Sequence, residues 1–287
     1  DISNWNVSNV QDAHRMLLNA TSFNGDISKW NTGTVTSMSH MFRKSPFNGD
    51  ISRWNTARVR DMTAMFRDAE SFNSDLSNWN VASLVNLRLT FSEAKVFNSD
   101  ISRWDTSKLA VLYETFTGAT RFTGSGVENW NTEKLTEVES AFSSASSFNA
   151  DLSNWNTSNL INLFRTFEGC KEFTGDGLSN WDISRVQTLA YTFSGATQFR
   201  GNVSNWITSS VTSFEHTFGE AVAFNGDLSN WDTSRVTTLQ DTFKGASAFN
   251  GDLSKWDTSS VTSLHATFNE ARAFTGDGVS NWNTENV

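Results

Sequence analysis

The stretch Trp54 to Trp79, WNTARVRDMTAMFRDAESFNSDLSNW, is one unit of a repeat that fills the chain from end to end. Tryptophan stands at 5, 30, 54, 79, 104, 130, 155, 181, 206, 231, 256 and 282, always 24 to 26 residues from the next. Self-similarity at this period marks a solenoid, in which each unit buries its apolar face only by stacking on its neighbours. The expected organisation is a single continuous array over residues 1–287, of about 11 repeats. Neither end shows the atypical polar unit that closes a solenoid core, so the array reads as a segment of a longer protein.

Counting each Trp as position 0, the repeats stack into columns. Position 5 is Val or Leu, position 8 is a large apolar residue in every unit after the first, which has Ala13, position 12 is Phe from Phe42 to Phe268, and position 15 is almost always Ala. The intervals 3, 4 and 3 describe one stripe of a 3.6-residue period, which predicts a short helix in every unit. Thr and Ser at positions 2 and 3 offer an N-cap, and Gly118, Gly169, Gly195 and Gly245 at position 14 offer a left-handed stop. A second Phe column follows, then Asn-Gly-Asp-like turn residues, then a segment such as Asp75–Trp79 that reads as a short strand. The fold class read from the residues is thus an α/β repeat, a leucine-rich-repeat-like solenoid with one short parallel strand and one short helix per coil. Its strand face is expected to be concave, because strands pack more closely than helices. One conflict stands out: Leu76 and Trp79 are three apart, so a strand would send them to opposite faces unless the chain turns between them.

The irregular repeats keep the same columns. Three units carry an extra glycine, Gly126, Gly177 or Gly278, in a turn, and one unit is a residue short around Pro46. Both changes fall where a loop absorbs them and leave the apolar columns in register.

The string running from Phe224 to Phe243, FNGDLSNWDTSRVTTLQDTF, resembles the repeat of about 26 residues found in BspA-like bacterial surface proteins. The resemblance extends over the whole chain. It implies a leucine-rich-repeat-like solenoid displayed outside the cell or on its surface, with roles in adhesion or envelope structure, and it implies no catalytic residues.

Composition narrows the function classes independently. The net charge is -9 with no basic run, so nucleic acid is not an expected partner. No run of apolar residues reaches the length of a transmembrane helix. The single Cys170 excludes an internal disulfide framework. No nucleophile–base set, paired-carboxylate cleft or phosphate loop departs from the repeat background, so no catalytic site and no cofactor is expected. His14, His40, His216 and His265 are read as solvent-facing residues in well-separated coils, unable to converge on a metal.

Each repeated polar or aromatic column has a structural reading and a functional one. The Trp column, including Trp79, Trp104, Trp155, Trp206 and Trp231, reads as a core ladder, with sugar stacking as the alternative. Phe91, Phe116, Phe167, Phe193 and Phe243 read as its companion core column. The Asp column before each Trp (Asp26, Asp50, Asp75, Asp100, Asp151, Asp227, Asp252) reads as turn capping, with calcium as the alternative. Ser two before Trp and Thr two after could form a hydroxyl face of the ice-binding kind. Of the sequons, Asn19 and Asn202 are candidates for glycosylation. The expected function is a non-catalytic extracellular or cell-surface scaffold that binds a protein or glycan ligand. The alternative is a subunit of an extracellular filament, built by self-association of open coil ends.

Overall fold

A computed structural model describes residues 1–287. The chain winds into successive coils, here coil 1 from Trp5 to coil 11 from Trp256, around one hydrophobic core that runs from Val7 to Val261. Regular secondary structure is almost absent. The only helical elements are two 3₁₀ turns, Val127–Asn129 and Leu178–Asn180. Isolated parallel bridges join position 7 of neighbouring coils, as in Asp12, Ser37 and Asp61, or Thr188, Ser213, Thr238 and Ser263.

The predicted helix is therefore replaced by another structure with the same inward stripe. In coil 2 the amides of Met38, His40, Phe42 and Lys44 donate to the carbonyls of Asp61, Thr63, Met65 and Arg67 in coil 3, at 2.8–2.9 Å. The amides between them, Met41, Arg43 and Ser45, close turns onto Met38, His40 and Phe42 of their own coil. Alternate amides thus point along the solenoid axis, which no α-helix permits, since a helix commits every amide to the carbonyl four residues back. The alternation needs two left-handed residues per coil, at positions 10 and 14, and every coil has them, from Arg15 and Asn19 to Ala266 and Glu270. A run of tight turns closing every three to four residues brings positions 5, 8, 12 and 15 inward with nearly the helical period. The stripe was legible, but the element beneath it was not.

The predicted strand is also a turn. Asp75 Oδ1 accepts from the Ser77 amide at 2.8 Å, and the Trp79 amide then donates to the Leu76 carbonyl at 3.0 Å. This reversal buries Leu76 and Trp79 together and resolves the conflict over their spacing. No concave strand face forms at that edge; the coil-to-coil backbone ladder lies on the turn run instead. The inserted glycines sit at left-handed positions, Gly126 at φ 104° and Gly177 at φ 86°, and open the two 3₁₀ turns while Val127 and Leu178 stay fully buried.

Inside, the aromatic columns stack coil on coil. Phe142 and Phe167 lie 5.7 Å apart and 3° from parallel, and Phe66 meets Phe72 of its own coil at 3.7 Å. Such offset pairs add to the burial of large rings. Trp54 and Trp79 stack at 6.3 Å, and each indole N–H reaches back to the carbonyl three residues before the preceding Trp, Trp79 to Ile51 at 3.0 Å. Buried hydroxyls are satisfied in the same way. Thr56 Oγ1 donates to the Asn80 carbonyl, and Thr192 Oγ1 lies within bonding distance of the Leu163 and Leu189 carbonyls. Every ladder couples a coil only to its neighbours.

Candidate functional site: the turn-ladder face

The core ladder contains the tryptophans and phenylalanines singled out from the sequence. Trp79, Trp104, Trp155, Trp206 and Trp231 are at most 4% exposed, and Phe91, Phe116, Phe167, Phe193 and Phe243 are fully buried. An indole stacked between the indoles of its neighbouring coils has no face free for a sugar. At the first coil, by contrast, Trp5 is 55% exposed.

The Asp column caps turns. Asp26 and Asp50 each accept the amide and hydroxyl of the serine two residues on, at 2.9 and 2.7 Å. These bonds, the hydroxyl first and the amide second, hold both carboxyls below the ordinary aspartate range. The Asn or Asp after each Trp does the same one turn later, as Asn156 does for Ser158; Ile207 breaks that column and is left exposed. A further ladder went unread in the sequence. The amides of Asn73 and Asn98 donate to the side-chain oxygens of Asn48 and Asn73, each at 2.7 Å, so these side chains stitch coil to coil.

The hydroxyl face does not exist as read. Thr32, Thr56, Thr106, Thr157, Thr208, Thr233 and Thr258 are buried and spend their hydroxyls on the next coil. Asn19 and Asn202 are exposed; Asn19 is one of the left-handed residues, and Asn202 caps Ser204.

The histidines require a second correction. His14 and His40 belong to adjacent coils and meet edge to face at 5.6 Å, with His14 Nδ1 2.6 Å from Ser39 Oγ. Burial, with Arg43 and Arg15 adding to it, lowers the pKa of His40. His216 is half-buried: it stacks on Tyr191 at 4.8 Å and places Nε2 3.1 Å from Asp241. Only His265 and His14 are exposed as expected.

These contacts lie on one surface, the outer side of the turn run. Between the buried positions 8 and 12, positions 9 and 10 change residue type from coil to coil: His14-Arg15, Ser39-His40, Thr63-Ala64, Arg88-Leu89, Tyr113-Glu114, Glu139-Ser140, Phe164-Arg165, Ala190-Tyr191, Glu215-His216, Gln240-Asp241, His265-Ala266. Both tyrosines of the chain are here, with the one Phe, Phe164, that belongs to no core column. Arg88 lies 3.8 Å over the Tyr113 ring and its Nη1 is 3.3 Å from Glu137. Arg165 stands 5.0 Å from the Phe164 ring and 4.9 Å from that of Tyr191, with Nε 3.6 Å from Glu168. Tyr191 donates its hydroxyl to Glu215 at 2.8 Å; burial first, then that bond, push its pKa up to about 12. For Tyr113 the neighbouring Glu114 is the larger cause of an upward shift.

Charge divides along this surface. Over positions 6 to 14, coils 1–4 carry Arg15, Arg43, Lys44, Arg60, Arg67 and Arg88 against Asp12, Asp61, Asp68 and Glu93. Coils 5–11 carry Glu114, Glu137, Glu139, Glu168, Glu215, Glu220, Asp241 and Glu270 against only Arg165 and Lys244. The face is a row of chemically diverse, mostly half-buried side chains on a uniform backbone, with His14, Arg15, Arg165 and His265 exposed. The signal that marks it was present in the sequence, as two adjacent positions that change residue type from coil to coil between the apolar columns 8 and 12.

No curated protein matches the sequence. Among solved structures, the TLR13–ssRNA13 complex resembles the chain at 13% identity and a TM-score of 0.26, covering 86% of this chain and 41% of that one. The plant peptide hormone receptor RGFR1 bound to RGF2 resembles it at 10% identity and a TM-score of 0.28, covering 77% and 45%. The chain therefore spans under half the length of either, and at such scores neither likeness bears on its fold or ligand. The family profile described as "Mycoplasma protein of unknown function, DUF285" matches residues 1–104, 35–125, 85–206, 110–231 and 189–287, so the chain belongs to that family along its whole length.

Proposed function

We propose that the chain is a non-catalytic interaction scaffold, displayed outside the cell or on its surface, that binds a protein or glycan ligand on the turn-ladder face. One observation carries this reading: positions 9 and 10, between the buried columns of the turn run, set Arg88 on Tyr113, Arg165 on Phe164 and Tyr191, and Tyr191 on Glu215 along one outer strip. Packing alone gives no reason for arginine, tyrosine, glutamate and histidine to alternate there. The resemblance to BspA-like repeats supports surface display and adhesion. The test is a screen of matrix proteins and a glycan array with the native chain and a variant carrying Arg88→Ser, Tyr113→Thr, Phe164→Ser and Tyr191→Ala. Loss of a specific ligand in the variant supports the reading. A ligand held equally well by both proteins overturns it. Protease accessibility on intact source cells tests the location.

A second reading, end-to-end assembly, rests on a different observation. The amides of Leu264, Ala266, Phe268 and Glu270 in coil 11 have no backbone acceptor, and the carbonyls of Asp12, His14, Met16 and Leu18 in coil 1 have no backbone donor. These are matching halves of the ladder that joins all other coils. Apolar hollows lie beside both sets, lined by Ile2, Trp5, Met16, Leu17 and Phe23 at one end and by Leu264, Phe268, Val279 and Trp282 at the other. Such a contact is heterologous, and it propagates. Electron microscopy over a range of concentrations separates the readings: fibres support assembly, and rods of constant length oppose it.

A further inference from the structure

We infer that the one break in the capping column that follows each Trp, at the start of coil 9, is a binding site for an N-acetylated amino sugar. The site lies outside positions 6 to 14 and stands independently of the turn-ladder reading. At every other Trp, the amide three residues on donates to the Asn or Asp side chain that follows the Trp, at 2.9–3.3 Å. At Trp206 that residue is Ile207. The Ser209 amide is left with no acceptor in the protein, and the isoleucine is 59% exposed. Both line an open hollow of about 390 Å³, whose wall also holds Ser204, Asn205, Asn230 and Asp232. The side chains of Asn205 and Asn230 are exposed and bond to no other residue. Asp232 accepts from Ser234 through Oδ1 alone, which leaves Oδ2 free.

What coil 9 lacks is a carbonyl oxygen on a short arm. An acetamido group carries the same amide as an asparagine side chain, so its oxygen can take the Ser209 N–H while its methyl lies on Ile207 and removes apolar surface from water. A carboxylate fits less well, because Asp182 and Asp232 stand one ladder spacing, about 4.8 Å, to either side and repel it. A purely aliphatic ligand would cover Ile207 but would desolvate the Ser209 amide without replacing its bond. The ring hydroxyls beside an acetamido group both donate and accept, which matches two amide side chains and a carboxylate oxygen. The volume falls in the lower part of the roughly 300–1,000 Å³ range of small-molecule sites and suits a short saccharide.

The test is saturation-transfer NMR on the whole chain with N,N′-diacetylchitobiose, and with cellobiose as the control that has the same linkage and no acetamido group. Transfer from the protein to the acetyl methyls of the first sugar, and none to the second, is expected. Ile207→Asn rebuilds the cap from within and should abolish the transfer, with a thermal melt equal to or above that of the native chain. Asn205→Ala with Asn230→Ala should weaken binding about ten-fold, from two hydrogen bonds of ordinary strength. Arg88→Ser with Tyr113→Thr, on the turn-ladder face, should leave it unchanged. Absence of transfer from the native chain, equal transfer to both sugars, or transfer that survives Ile207→Asn overturns the inference. So does tighter binding of the tripeptide Ser-Asn-Ser than of the sugar in competition, which would assign the gap to an asparagine of a partner polypeptide.

Discussion

Phe167 is fully buried and touches rings on three sides: Phe142 at 5.7 Å below, Phe193 at 5.8 Å above and Phe173 at 4.4 Å in its own coil. Removing it leaves a hole in a stack that can collapse in one direction only. Phe167→Ala should cost about 3–5 kcal/mol in chemical denaturation. Phe268, partly buried in the last coil, loses neighbours on one side only, and its alanine variant should cost clearly less. The turn caps make a separate, pH-dependent contribution. Hydrogen bonds from Ser28 and Ser52 lower the pKa of Asp26 and Asp50, and amide and hydroxyl of Ser229 and Ser254 do so for Asp227 and Asp252. A carboxyl whose folded pKa lies below its unfolded one contributes stability that is complete above the unfolded value and disappears as pH falls through the folded value. Denaturation midpoints should therefore be level down to about pH 4 and drop below it. Because the cause is hydrogen bonding before charge, added salt should move this little. Asp50→Asn, which keeps the cap as Asn202 does, should flatten the drop slightly.

At the scale of the element, the apolar columns, the Trp ladder, the capping Asp column and the placement of inserted glycines were legible, because each is a residue type fixed by burial or by a turn. The helix was not, and the reason is geometric. A 3.6-residue stripe reports which side chains face inward, and a ladder of tight turns satisfies it equally. What distinguishes the two is the destination of the amides, and that is not written in side-chain polarity. The left-handed residues gave little help, since position 14 shows Gly in only some coils and position 10 in none, with Tyr191, Leu89 and His216 accepting positive φ there. Two outcomes follow. Far-ultraviolet circular dichroism should lack the helical double minimum despite full folding. Gly195→Ala should destabilise by about 1–2 kcal/mol through its left-handed backbone alone, since the added methyl would find its nearest neighbour 3.5 Å away, at the Gly169 Cα. The variable face was likewise readable, but only by asking which columns fail to repeat, whereas a search for chemistry looks for residues that recur.

For the whole molecule, the ladders make stability a sum over nearest neighbours, with no contact that spans the array. Opening should then begin at the ends, where coil 1 exposes Trp5 and coil 11 holds Phe268 and Trp282 only partly buried, and should reach the centre last. Cys170 provides a probe at that centre. It lies in coil 7, fully buried, with its thiol against the Phe142 carbonyl at 3.0 Å, and burial pushes its pKa far up. A thiol of this kind reacts only when its coils separate. Labelling by an aromatic disulfide reagent should be slow in native buffer and should accelerate with denaturant in step with the central transition. A cysteine placed at Ala271 in the last coil should react much faster under native conditions, because its shielding coils lie on one side only. Amide hydrogen exchange should show the same profile, with protection rising from both ends toward coils 5 to 8. Equal labelling rates at the two positions would mean that the array opens as one cooperative unit, and the nearest-neighbour account of its stability would fail.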